Sequence, residues 1–273
     1  MLHILYARAG QDSRHGLLER MGRSKANKRV LLVPDQYSHE SERAMCAVLG
    51  SGASQTCEVL SFTRLGRRIA DLQGGGAAPV LDGGGRMLLL YAALRQVSDA
   101  LKFYRTPSRK PAFLSSLLAT VDECCSYGVA PQTLMALGAE LGGSQGEKWQ
   151  DIGLICGAYL DLCAVSAADP RQSLDKLEEQ LRACRWAEKK EFFIHGVADF
   201  TPQQEKIIAL MAAQGQVTVA LVCDPDDRTS GIFDTAQRTV WRLRRAMNGV
   251  PAAEAMELLV GKLKKNDRYR MDV

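Results

Sequence analysis

Several sequence signatures are missing from this chain of 273 residues. No apolar run approaches the roughly 18 residues that a membrane-spanning helix needs. Arg8 interrupts the apolar N-terminal residues before the core of a secretory signal can form. The eight cysteines include no C-x-x-C pair, which argues against a zinc or iron–sulfur site. We therefore expect a cytoplasmic protein without membrane association, whose cysteines are buried free thiols.

The familiar catalytic motifs are also missing. The chain contains no G-x-S-x-G elbow, no H-E-x-x-H helix and no constellation of paired carboxylates. Its four histidines, at positions 3, 15, 39 and 195, are too scattered for ligand spacing. We expect neither a catalytic residue nor a metal site in this chain.

The composition is that of a folded globular protein. Hydrophobic residues make up 46% of the chain and charged residues 24%, which excludes a disordered or coiled-coil chain. Residues 1–80 carry 11 basic and 7 acidic residues, and the remainder carries 24 of each, so the net charge of +4 belongs to the first segment. Such a surplus suits a nucleic-acid backbone or a phosphate. A solvated surface with a slight imbalance is the alternative.

Apolar runs alternate with amphipathic stretches at the start of the chain. The runs predict strands at 2–6, 29–33 and 56–60, and the stretches predict helices at 16–21, 40–49 and 62–72. Strands alternating with helices form βαβ units, so we expect a parallel sheet covered on both faces.

The pattern then becomes purely helical before strands return. Four apolar stripes at helical spacing fill residues 83–185. Thr201, Pro202 and Gln204 predict a helix start with a capping box, between strands at 191–195 and 216–223. We predict an α/β domain formed by 1–82 and 186–250, a helical insertion subdomain at 83–185 and a C-terminal tail at 251–273.

The loop after the first strand lies where a P-loop would lie, but it lacks the P-loop residues. A P-loop reads G-x-x-x-x-G-K-[ST], in which glycines expose backbone N–H groups, lysine neutralises phosphate and the hydroxyl holds Mg²⁺. In this frame Ala7 and Asp12 occupy the two glycine positions, Ser13 the lysine position and Arg14 the hydroxyl position. Arg8 and Gly10 lie between the two glycine positions. A carboxylate facing triphosphate is unfavourable, so a working nucleotide site is not expected.

Other polar residues follow the next two strands and are candidates for DNA contact. They are Gln36, Phe62, Arg64, Arg67 and Arg68. A helix N-terminus with nearby guanidinium groups suits phosphate, and Phe62 offers a ring for base stacking. The alternatives are a solvated turn at Gln36 and a core contact at Phe62. His195, at the end of a later strand, is a polar group near the same edge, and a hydrogen-bonded structural histidine is the alternative there.

A series of short motifs, in this order, resembles the N-terminal part of the AddB (RexB) family. The matching residues are Leu31–Gln36, Glu42–Ala44, Val59–Leu65, Gly85-Arg86, Tyr127–Val129 with Pro131, Phe200–Gln203 and Val217–Pro225. AddB is a subunit of a bacterial ATP-dependent helicase–nuclease that processes double-strand breaks. The resemblance implies a RecA-like motor fold with a helical insertion, contact with DNA, and a heterodimer with an AddA-type helicase/nuclease subunit.

The departures from the family pattern are as informative as the matches. Many members keep G-R-x-G-S-G-K-S after the first strand, which this chain replaces. The aspartate of a later D-G-F motif, on the magnesium side of the site, is His195 here, and the glutamate of T-P-Q-E is Gln204. The resemblance implies ATP and Mg²⁺ for the family and an iron–sulfur cluster in a C-terminal region beyond these residues, but no cofactor in this chain.

Three hypotheses follow from these observations. The first is a helicase-like, catalytically inactive region that binds DNA and assembles with its partner in recombinational repair. The second is a scaffold that binds AddA without touching DNA. The third is an ATPase with an unusual P-loop, against which Asp12 and Ser13 argue.

Overall fold

The computed structural model describes residues 1–7, 10, 12–73, 80–105, 110–166, 169–170, 173–224, 226–227, 229–247 and 256–258. The chain divides into two compact units, one formed by 1–73 with 177–273 and the other by 74–176. The strands are β1 Leu2–Ala7, β2 Lys28–Leu32, β3 Cys57–Leu60, β4 Lys190–Ile194, β5 Gln216–Val222 and β6 Met256–Leu258. The helices are α1 Ser13–Arg23, α2 Ser38–Leu49, α3 Phe62–Leu72, α4 Gly83–Val97, α5 Pro111–Tyr127, α6 Pro131–Leu141, α7 Gly143–Val165, α8 Ser173–Ala183, α9 Pro202–Gln214 and α10 Asp234–Ala246.

The first unit is built on a parallel sheet with strand order β3-β2-β4-β5-β1-β6. Every pairing between neighbouring strands is parallel, and β1 lies beside β5 although more than 200 residues separate them in sequence. Five of the strands are those that the apolar runs predict. The structure therefore confirms an α/β, RecA-like fold, and β6 adds a short edge strand within the predicted tail.

Helices cover the sheet on both faces because its crossovers run in both directions. The connection from β1 to β2 moves toward the β3 edge, and the connection from β4 to β5 moves the other way. Right-handed crossovers then place α1 and α2 on one face and α9 and α10 on the other. Leu5, Leu31 and Phe193 accordingly pack with Leu17 and Met21 of α1.

The start of α9 follows the predicted capping box. Thr201 accepts a hydrogen bond from the Gln204 backbone N–H at 3.3 Å, and the Gln204 side chain accepts one from the Thr201 N–H at 3.0 Å. Pro202 occupies the first helical position, where its missing N–H costs nothing. Ile207, Ile208 and Met211 of this helix are fully buried.

The second unit is helical and contains its own core. Leu94 of α4, Val121 of α5 and Tyr159 of α7 belong to one buried cluster. A polar network lies in this unit: Arg86 contacts Asp122 and Asp169, and the Tyr159 hydroxyl donates to Asp169 at 2.6 Å. The sequence places the helical insertion at 83–185, and the structural unit spans 74–176.

Two further sequence-based expectations concern burial and membranes. All eight cysteines are free. The prediction of buried thiols is confirmed at Cys57, Cys156, Cys163 and Cys223, whereas Cys124, Cys125 and Cys184 are only half-buried. The prediction is wrong at Cys46, which is exposed on the outer face of α2. Within the described residues, no helix combines the length and hydropathy required to cross a membrane.

Candidate functional site

The first turn of α1 is capped by an aspartate from the end of the preceding loop. Asp12 caps α1 by accepting a hydrogen bond from the His15 backbone N–H at 3.0 Å. Gly10 has a positive φ of 84°, a conformation that favours glycine. The Asp12 carboxylate thus replaces an incoming anion at the N-terminus of α1. Arg8 lies outside the described residues.

Ser13, at the lysine position of the P-loop frame, contacts His195 at the end of β4. Its Oγ lies 3.0 Å from His195 Nε2, and the two atoms share a hydrogen bond. β4 is separated from β1 by β5 alone, so the end of β4 faces the loop that follows β1. The structure therefore brings together Ser13 and His195, which the sequence assigns to the two halves of one degenerate site.

The surroundings of His195 favour the neutral form of its imidazole. Burial lowers the pKa of His195 below its ordinary value of 6.5, and the positive charge of Arg14 lowers this pKa further. The carboxylates of Asp12 and Glu40 oppose this shift but do not reverse it. A neutral imidazole beside a serine hydroxyl offers no positive charge to a phosphate and no carboxylate oxygen to Mg²⁺.

Arg14 completes the loop by pairing with α2. Its Nη1 lies 2.5 Å from Oε1 of Glu40, at a position where a P-loop would present a hydroxyl. The sequence does not single out Glu40, which is one of many acidic residues on a predicted helix. A phosphate at this position would have to displace the Glu40 carboxylate from Arg14, whose side chain is less exposed than those of Arg64 and Arg68.

These residues do not fit ATP with Mg²⁺. In the P-loop frame the positions of the phosphate cation and of the hydroxyl ligand hold Ser13 and Arg14, and the residue that the resemblance implies on the magnesium side is His195. Mg²⁺ prefers oxygen ligands, and a phosphate requires a nearby cation or free N–H groups. Among the described residues, no group of His, Cys, Asp and Glu side chains is arranged to hold a metal ion.

A second group of candidate residues surrounds the start of α3. Ser61 caps this helix by accepting a hydrogen bond from the Arg64 N–H at 3.2 Å. The hydroxyls of Ser61 and Thr63 donate to the carboxylate of Asp35, which ties the turn after β2 to the start of α3. Gln36, next to Asp35, is exposed. The turn and the helix N-terminus thus form one fixed surface.

The three arginines of α3 are exposed on this surface. Arg64 lies 3.4 Å from Glu42, and Arg68 lies 3.6 Å from Glu58. Arg67 makes no hydrogen bond or ion pair with any residue that the structure describes. Exposed ion pairs contribute about 0–1 kcal/mol, so a phosphate can displace these carboxylates at small cost.

Phe62 belongs to the core rather than to the surface. Its side chain is 8% exposed at the first position of α3. A ring that is this buried has no free face for a base, so the proposed role of Phe62 as a stacking platform requires a rearrangement that nothing in the structure supports. The arginines and Gln36 are left as the candidate DNA contacts.

The residues around Ser13 and His195 and the residues around the start of α3 lie along the same edge of the sheet, but they form separate sites. Both follow the carboxyl ends of parallel strands, where α/β folds commonly bind ligands. The loop after β1 and the start of α3 are four strand positions apart in the sheet order. At about 4.8 Å per strand, this separation is roughly 19 Å.

The sheet order and the parallel pairing of every neighbouring strand define a RecA-like α/β unit. The chain belongs to the family described as ADDB, N-terminal, whose sequence model matches residues 4–271. It is 27% identical over 270 residues to the B subunit of an ATP-dependent helicase/deoxyribonuclease of Acetivibrio thermocellus, with 94% of this chain and 24% of that protein covered.

Similar relationships exist with proteins of other bacteria that carry the same name. Identity is 27% over 272 residues with a protein of Caldanaerobacter subterraneus, covering 95% of this chain and 23% of the relative. It is 28% over 229 residues with a protein of Clostridium kluyveri, covering 82% of this chain and 20% of the relative. The chain thus spans about a quarter of the length of these curated relatives.

Proposed function

We propose that this chain is a helicase-like, catalytically inactive region that binds DNA and assembles with a partner in double-strand-break repair by homologous recombination. The family membership and the names of its relatives, each the B subunit of a helicase/deoxyribonuclease, support a role on DNA. The partner that fits such a subunit is an AddA-type helicase/nuclease, and the compartment is the cytoplasm.

The contact between Ser13 and His195 carries the proposal of inactivity. In a working site of this fold a lysine would face the phosphates and a carboxylate would face Mg²⁺ across the same gap. Here a hydroxyl and a neutral imidazole contact each other across it. The side chains that replace the catalytic pair bind one another, so the region needs no nucleotide to be stable.

The exposed arginines of α3 carry the proposal of DNA binding. Arg64, Arg67 and Arg68 lie within about a turn and a half of one helix that begins at a strand end. Their role is to position phosphates, and Gln36 adds a polar contact from the neighbouring turn. Because the contacts are electrostatic, the affinity for DNA falls as salt rises.

Two other functions make different predictions. A scaffold that binds only the partner protein has no salt-dependent affinity for DNA. An ATPase with an unusual loop changes its DNA affinity when ATP·Mg²⁺ binds. The geometry of the loop disfavours the second, and the three exposed arginines disfavour the first.

The experiment is a titration of labelled duplex DNA with the chain at two salt concentrations, followed by fluorescence anisotropy. We expect the variant R64Q/R67Q/R68Q to reduce the slope of log affinity against log salt by about 0.9 for each phosphate that the variant no longer neutralises. The matched control R20Q/R23Q/K25Q removes three charges at and just beyond the C-terminal end of α1, which lies at the amino ends of the strands and thus at the opposite edge from the start of α3. Equal slopes for the α3 variant and wild type would contradict the assignment, and no binding by wild type would favour the scaffold.

A further inference from the structure

Three basic or aromatic side chains of helix α10 are exposed and lie outside the buried face by which the helix packs. Arg238, Trp241 and Arg245 are exposed and follow one another at intervals of three and four residues. This spacing places them on one side of the helix. Trp241 is 59% exposed, although tryptophan is usually buried for most of its surface. We call these three residues the α10 face.

The opposite side of α10 is firmly attached to the α/β unit. Thr239, Val240 and Leu243 are buried, and the Thr239 hydroxyl donates to the Ala198 carbonyl at 3.0 Å. Arg242 donates from Nε to Glu205 at 2.7 Å and also contacts Asp199. These bonds fix the rotation of the helix about its axis, so the α10 face is held outward without a ligand.

Arg242 differs from Arg238 and Arg245 in how its charge is paired. Arg242 is neutralised by two carboxylates from α9 and from the segment before it. No ion pair joins Arg238 or Arg245 to an acidic side chain within the described residues. Arg238 donates to the backbone carbonyl of Asp234, and Arg245 lies over the Trp241 ring with its guanidinium carbon 5.5 Å from the ring centroid. The α10 face thus combines two cations with one indole ring.

The indole ring retains one face for a ligand. One guanidinium group covers only one side of a ring, and more than half of the Trp241 surface is still exposed. The guanidinium group also restrains the ring, which lowers the entropy lost when a flat ligand stacks on it. Arg238 and Arg245 are about 10 Å apart along the helix axis, with the ring between them.

We propose that the α10 face binds single-stranded DNA, with a base stacked on Trp241 and phosphates contacted by Arg238 and Arg245. This inference rests on the proposed role on DNA and adds a second surface, distinct from the α3 arginines. A single strand is the fitting partner because its bases are unstacked and expose the ring faces that a tryptophan requires. The two cations complement the strand's phosphates, whereas a duplex keeps its bases stacked out of reach.

The α10 face lies away from the α3 arginines in the sheet. The helix α3 follows β3 at one edge of the sheet, and α10 leads from β5 to β6 at the other edge. Substitutions in one surface therefore leave the other intact, so their contributions can be measured separately.

The test is a titration of the chain with oligothymidylate, followed by tryptophan fluorescence and by the anisotropy of a labelled oligonucleotide. We expect wild type to bind with quenching of its fluorescence, and W241F to bind with similar affinity but without most of the quenching. W241A is expected to weaken binding at least about fivefold, as the loss of one stacked base does. R238Q/R245Q is expected to reduce the salt slope by about 0.7 for each phosphate that the variant no longer neutralises.

The control and the outcomes separate this inference from the proposed function. R23Q/K25Q removes two charges from the other face of the sheet and is expected to bind nearly as wild type does. If wild type binds DNA and W241A binds oligothymidylate with the wild-type affinity, the proposed role of the α10 face is overturned and the proposed role of the chain on DNA is unaffected. If W241A loses only its affinity for the partner protein, the face docks protein and the inference is likewise overturned. If wild type binds neither strand form, the proposed function fails with it.

Discussion

The hydroxyl of Ser13 lies 3.0 Å from Nε2 of His195, although 182 residues separate them in sequence. The contact joins the start of α1 to the residue that follows β4, at the edge of the sheet formed by the carboxyl ends of its strands. Under the proposed function, the side chains at the lysine and magnesium-side positions bind each other rather than a nucleotide. The proposed inactivity of the loop depends on this pair.

The neutral state of His195 predicts a specific dependence of stability on pH. Burial and the charge of Arg14 lower the pKa of His195 below 6.5 in the folded chain. The unfolded chain then takes up a proton at a higher pH than the folded chain does. The contribution of His195 to the free energy of unfolding is therefore fully present above about pH 6.5. It decreases as the pH falls from there toward the folded-state pKa.

The variant H195Q removes this contribution. In urea unfolding at a series of pH values, we expect the stability of H195Q to fall less between about pH 7.5 and pH 5.5 than that of wild type. H39Q, which removes an exposed histidine of α2, is the control and is expected to keep the wild-type dependence. An H195Q curve parallel to that of wild type would show that His195 is not held neutral by the fold.

The fold follows closely from local sequence signals. Continuous apolar runs such as the one in β5 predict buried parallel strands because both faces of such a sheet are covered. The capping box at Thr201 and Gln204 marks the start of α9 within one residue, since it depends only on neighbouring backbone groups. These features need no knowledge of the rest of the chain.

The contacts between distant segments do not follow from the sequence. The ion pair between Arg14 and Glu40 depends on how α2 packs beside α1, and the burial of Phe62 depends on what covers the start of α3. Trp241 gives no sequence signal of its exposure, because a tryptophan near Val240 and Leu243 resembles core. Its neighbours Arg238 and Arg245 provide the one hint, a basic stripe at helical spacing.

The helices α6 and α7 approach each other closely at two glycines, so alanine at Gly146 is expected to destabilise the helical unit. A Cβ at Gly146 would run into the carbonyl oxygen of Gly138, and a Cβ at Gly138 would lie 2.6 Å from the carbonyl oxygen of Gly146. The two backbones cannot separate without disturbing the helical unit. We expect G146A to lower the free energy of unfolding of this unit by about 1–3 kcal/mol.

The matched control is G157A, on the same helix α7. A Cβ there would lie 3.7 Å from Pro131, an ordinary contact. Alanine is the better helix former, so G157A is expected to be neutral or to add up to about 1 kcal/mol. Urea unfolding followed by Trp149 fluorescence, in a background in which Trp186 and Trp241 are phenylalanine, reports on this unit. Equal effects of both substitutions would contradict the close approach of α6 and α7.

The affinity of the chain for DNA, measured with and without ATP·Mg²⁺, tests the central claim most directly. The account predicts salt-sensitive binding with the same affinity in both cases, and no shift of the melting temperature by ATP·Mg²⁺ alone, because a ligand that does not bind the folded state cannot stabilise it. A change in DNA affinity or melting temperature on adding ATP·Mg²⁺ would show that the loop around Ser13 and His195 still binds nucleotide, and would contradict the account.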